Sequence, residues 1–176
     1  SDLKAQNDIM KKINAGDQAA QSQLVLPVYI FNVNGEKITV VPCYGAGLWG
    51  PIWGYLAFDK DMNTIDGAVF DHKGETPGLG AEIATNWFRE NFKGKKINDA
   101  ENNFVSIEIV KGGAADDDIN GVDAISGGTI TSDALEKAID TWLRFYVPYF
   151  NNQKTQDCAC DCCGEEHAES VNNVEE

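Results

Sequence analysis

"LVLPVYIFNVNGEKITVVPCY", Leu24 to Tyr44, decides the fold class. Two β-branched and aromatic runs, Leu24–Val33 and Glu36–Tyr44, are separated only by Asn34-Gly35. Asn-Gly suits the positive backbone angles of a tight two-residue turn, so the pair reads as a β-hairpin. A second hairpin follows. "PIWGYLAFD" and "TIDGAVFDH" flank Lys60-Asp61-Met62-Asn63, and "NFVSIEIV", Asn103 to Val110, alternates as a further strand. "AEIATNWFRENF", Ala81 to Phe92, has helical spacing at Ile83, Trp87 and Phe88. Leu135, Ile139, Trp142, Leu143 and Tyr146 recur at steps of three and four and predict a long final helix with one buried stripe. The expected fold is α+β: one twisted antiparallel sheet flanked by helices.

The 176 residues, 43% of them hydrophobic, suffice for one domain with a real core. No run of 18 or more apolar residues occurs, so no segment of this sequence reads as a membrane span. The opening "SDLKAQNDIMKKIN" is polar and amphipathic, lacks the apolar stretch of a secretory signal, and predicts a helix over Leu3 to Ala15. A net charge of −14 repels phosphate backbones and anionic membranes, which excludes nucleic acid as a partner. Three regions are expected: a helical lead-in at 1–23, a globular domain at 24–155, and an acidic tail at 156–176. The tail has too little apolar surface to offset its ordering entropy and reads as disordered. It carries Cys158, Cys160, Cys162 and Cys163, whose spacing differs from the paired Cys-x-x-Cys modules of structural zinc sites. No metal site is expected, and the lone Cys43, in a strand pattern, reads as core.

Three glycine-rich stretches stand out. In "VDAISGGTITSDALEKAIDTWLRF", Ser126-Gly127-Gly128-Thr129-Ile130-Thr131-Ser132 runs directly into the final helix, which is expected to begin near Thr131 to Asp133 with one of these residues as its cap. A helix N-terminus offers free amides and partial positive charge to a phosphate, and the two glycines allow close approach. An ordinary capped loop fits the same residues. "DHKGETPGLGAEI", Asp71 to Ile83, uses Gly74, Pro77, Gly78 and Gly80 to shape a turn before another helix, or is a plain connection. In "YGAGLWGPIWGYLAFD", Trp49, Trp53 and Tyr55 stand among four glycines. Trp49 fits either a strand core or the wall of a site for a flat aromatic ligand.

Together these stretches resemble the FMN-binding domain family, and within it the members that belong to sodium-translocating NADH:quinone oxidoreductases. The residues that carry the resemblance are "GAGLWGPIWGYLAFD", "GETPGLGAEI" and "VDAISGGTITS", in that order. It implies an electron-carrying flavoprotein subunit of a respiratory complex, with FMN joined through its phosphate to a threonine. The acceptor motif, usually Ser-Gly-Ala-Thr, reads Ser126-Gly127-Gly128-Thr129 here, which makes Thr129 the implied acceptor and Thr131 the runner-up. Ser126, Gly127, Gly128, Leu48, Trp49, Gly74, Glu75, Thr76, Gly78, Leu79 and Gly80 are the other implied cofactor contacts. The implied partners are the remaining subunits of the complex and a flavin transferase. An N-terminal anchor absent from this sequence would hold the domain on the extracytoplasmic, periplasmic side of the inner membrane. Two alternatives stay open: the related flavin-motif component of an Rnf electron-transport complex, or a non-catalytic extracytoplasmic ligand-binding module.

The physical chemistry suits the implied role. A threonine phosphodiester carries one negative charge where a free flavin phosphate carries nearly two, which suits an acidic protein. The isoalloxazine supplies the redox chemistry, so no catalytic acid or base is assigned. His72, beside the Gly74 loop, reads as a hydrogen-bonding loop residue.

Overall fold

The computed structural model describes residues 2–161, with side chains to residue 154. Helix α1 spans Leu3–Asn14, and the Asp2 carboxylate caps it by accepting from the amides of Lys4 and Ala5. Four strands follow: β1 (Tyr29–Val33), β2 (Glu36–Ala46), β3 (Pro51–Phe58) and β4 (Ile65–His72). They form an antiparallel sheet in that order. Asn34 and Gly35 both have positive φ, 54° and 89°, as the expected two-residue turn requires. Both expected hairpins form.

The helix expected over Ala81–Phe92 is instead two short pieces, a 3-10 turn at Gly80–Ala84 and α2 at Asn86–Glu90. Thr85 breaks the run: its backbone is extended and its hydroxyl bonds back to the Glu82 carbonyl at 2.6 Å. The break rotates the second piece, so Ile83 and Phe88 stay buried while Trp87 is 48% exposed. The strand expected over Asn103–Val110 shortens to β5 (Glu108–Val110). Ser106, at φ 70°, bends the chain upstream of it, and the amides of Val105 and Ser106 share the Ile97 carbonyl. β5 pairs in parallel with β6 (Gly121–Asp123), forming a second small sheet beside the antiparallel one.

Helix α3 spans Thr129–Asp161. It begins two residues before the expected start and carries the backbone six residues into the segment read as tail. The rest of that tail, and the side chains of all four of its cysteines, lie outside the described residues. The predicted stripe Leu135, Ile139, Trp142, Leu143 and Tyr146 is fully buried against Val41, Cys43, Ile52, Leu56 and Phe58 of β2 and β3. Trp142 also ties α3 to its neighbours, donating its indole N–H to the Tyr44 carbonyl at 2.9 Å and to Asn7 Oδ1 of α1 at 3.2 Å. This seam fixes the N-terminal turn of α3 relative to the loops at the end of the sheet.

Burial gives the core an alkaline limit. It pushes the Cys43 thiol from its ordinary 9.0 up to about 12, and pushes the Tyr146 phenol up as well. Above the ordinary thiol value the unfolded chain releases protons that the folded chain retains, so stability falls as pH rises. The melting temperature should hold steady up to about pH 9 and decline from there towards about pH 12. Cys43→Ala should flatten part of that decline in a pH series of thermal melts.

Candidate functional site

Three loops meet at the N-terminus of α3. The first is the β2–β3 turn, where the Gly47 amide donates to the Gly50 carbonyl at 2.8 Å. That tight turn thrusts Leu48 and Trp49 outwards, and Trp49 is 67% exposed. Trp49 therefore lies in a turn and not in a strand core. The second loop leaves β4, with the Glu75 amide donating to His72 Nδ1 at 3.1 Å. The amides of Leu79 and Ala81 then both donate to the Thr76 carbonyl, which presents Leu79 at the surface. The third loop enters α3. Gly127 has φ 72°, and the Ser132 hydroxyl accepts from the Ile125 amide at 3.3 Å, pinning the loop to the helix.

One residue joins all three. Glu75, 4% exposed, accepts from the Trp49 amide at 2.8 Å through Oε1 and from the Thr131 hydroxyl at 2.6 Å through Oε2. A Cβ on Gly80 would stand 2.6 Å from Glu75 Oε2 and would also strike the Thr131 hydroxyl, so only glycine leaves room for this bond. Thr131 is thus not the helix cap expected from sequence. The earlier start of α3 places it inside the first turn, 2% exposed and facing Glu75.

The loops enclose a cavity of about 400 Å³ lined by Leu48, Trp49, Glu75, Thr76, Leu79, Gly80, Gly127, Gly128, Thr129, Ile130 and Thr131. Ten of the thirteen residues singled out from sequence line it, and Ile130 joins them. Ile130 was missed because it is the one apolar residue in a polar run. Ser126 instead faces a neighbouring cavity of about 460 Å³ with Lys111 and Asp123, a cavity that Gly127 and Thr129 also border. Gly74 and Gly78 shape their loop without lining either space. A larger cavity of about 590 Å³ lies between α1, the end of β2 and α3, and none of the sequence-singled residues reaches it.

The hydroxyls at the helix start are sorted by their partners. Thr131 is spent on Glu75 and Ser132 on Ile125, whereas no hydrogen bond engages the half-buried Thr129 hydroxyl among the described residues. The amides of Thr129, Ile130 and Thr131 likewise meet no acceptor among the described residues, as expected for a first helical turn. A free hydroxyl and free amides at the positive end of a helix, beside Leu48, Trp49 and Leu79, suit a ligand with one anionic end and one flat apolar end.

The sequence profile of the FMN-binding domain matches residues 47–144, more than half of the chain. The chain belongs to the FMN-binding domain family. The match opens at the Gly47 turn and closes within α3, so this FMN-binding domain takes in all three loops. The NqrC protein of Vibrio campbellii, a component of its Na(+)-translocating NADH-quinone reductase, is 41% identical over 112 residues, covering 62% of this chain and 42% of that protein. The crystal structure of the same component from Parabacteroides distasonis shares 45% identity at a TM-score of 0.69, covering 75% of this chain and 66% of that one. Shewanella oneidensis NqrC shares 40% identity at a TM-score of 0.64, covering 71% and 58%. Both structures share the α+β fold. The chain spans about half the length, or less, of the curated relatives it matches.

Proposed function

We propose that this chain is the flavin-carrying part of an NqrC component of a sodium-translocating NADH-quinone reductase, with FMN held by a phosphoester to Thr129. The observation that carries the reading is the free Thr129 hydroxyl at the mouth of the Leu48–Trp49–Leu79 cavity, on the first turn of α3. The names of the relatives supply the complex. The free first-turn amides would hold the phosphodiester oxygens, and the helix dipole would offset its charge. Leu48, Trp49 and Leu79 would flank the ring and leave one edge open to an electron partner.

FMN supplies electron transfer when bound, and the chain supplies position and electrostatics. Thr129 Oγ1 would accept the flavin phosphate from an activated flavin presented by a separate transferase. The new ester P–O bond forms as the activated bond breaks, and the hydroxyl proton passes to the transferase. The remaining components of the reductase would be the working partners. The domain would sit on the extracytoplasmic side of the membrane, held by an N-terminal anchor outside this sequence. Among the described residues no helix is long and apolar enough to cross a membrane.

Protein produced beside a flavin transferase should be yellow and stay yellow in the pellet after acid precipitation. Flavin that washes out in acid would remove the covalent part of the reading. A colourless protein from such a host would remove the reading itself.

A further inference from the structure

Glu75 is a buried carboxylate whose two oxygens are met only by neutral donors, the Trp49 amide and the Thr131 hydroxyl. No ion pair among the described residues includes it. Burying a charge without a counter-ion is costly, and a neutral side chain would tie the same loops at lower cost. The α3 N-terminus offsets part of that cost. A costly charge kept on the wall of a ligand cavity points to a use for the charge itself.

We propose that Glu75 is the positioning residue of the pocket and that its charge lowers the midpoint potential of the flavin. The proposal rests on the flavin reading above. By holding Trp49 and Thr131, the side chain fixes two walls of the cavity and leaves Thr129 with the free hydroxyl of that turn. By standing as a fixed negative charge beside the ring, it disfavours the added electron density of reduction.

Glu75→Gln and Glu75→Ala separate the two roles. Gln keeps an oxygen for the Trp49 amide and turns its NH₂ towards Thr131 Oγ1, so it removes the charge and little else. In protein made without a transferase, the Trp49 amide should be protected from hydrogen exchange in the wild type and in the Gln variant. In the Ala variant it should exchange roughly tenfold faster. In flavin-bearing protein, the Gln variant should titrate at a more positive potential than the wild type. Equal Trp49 protection in the Ala variant would overturn the positioning role, and an unchanged potential in the Gln variant would overturn the electrostatic one. A wild-type chain that takes no flavin would defeat the functional reading, while amide exchange still decides the positioning role.

Discussion

Thr129→Ala protein, produced beside a flavin transferase, should carry no acid-stable flavin, against a stoichiometric load on the wild type. The reason lies in how the first turn of α3 spends its hydroxyls. Thr131 donates to Glu75 at 2.6 Å and is 2% exposed, and Ser132 is fully buried against the Ile125 amide. An incoming phosphorus can reach neither without dismantling the turn. Thr129 is half-buried, unengaged and at the cavity mouth. Thr131→Ala should therefore keep its flavin. It should lose about 1–3 kcal/mol of stability, because a buried Glu75 oxygen loses its donor. Flavin counted by absorbance in the acid pellet separates the two variants. Equal loss in both would mean that the turn, and not one hydroxyl, is what the transferase reads.

The largest expected loss of stability is at Trp142. This side chain is fully buried and its N–H serves both the Tyr44 carbonyl and Asn7. Trp142→Ala removes the packing of the largest residue in the α3 stripe and leaves two buried acceptors without their donor. The cost should be about 5 kcal/mol, at the upper end for an aromatic truncation. That is comparable to the whole stability of many domains. Urea denaturation measures it directly, with Trp49→Ala as the control. Trp49 is two-thirds exposed, and its loss should stay within about 0.5 kcal/mol in flavin-free protein. A Trp142 variant within about 1 kcal/mol of wild type would mean that the α1–β2–α3 seam does not hold the domain together.

Much of this architecture is legible in the sequence, because its signals are local. Asn34-Gly35 specifies a turn by itself, and the stripe from Leu135 to Tyr146 specifies a helix face by itself. The misreadings have equally local causes. Ile83, Trp87 and Phe88 keep helical spacing across Thr85, but a hydroxyl that bonds back to Glu82 ends one helix and starts another, turning Trp87 outwards. The alternation from Phe104 to Val110 reads as one strand, yet a left-handed Ser106 breaks it.

The site divides in the same way. Glycines and hydroxyls at a helix start mark where a ligand can approach, and the sequence displays them. Which hydroxyl is free depends on a bond between residues 56 apart, Glu75 and Thr131, and no spacing rule reveals it. The cap expected at Thr131 failed for that reason. A tertiary partner, together with a helix that starts at Thr129, took the hydroxyl away from capping.

The most direct test of the central claim is peptide mass mapping of the wild-type chain after co-production with a flavin transferase. The peptide covering residues 121–144 should gain the mass of one flavin phosphate, with fragmentation placing it on Thr129. The same mass on Thr131 or Ser126, or an unmodified peptide from a yellow protein, would contradict the account.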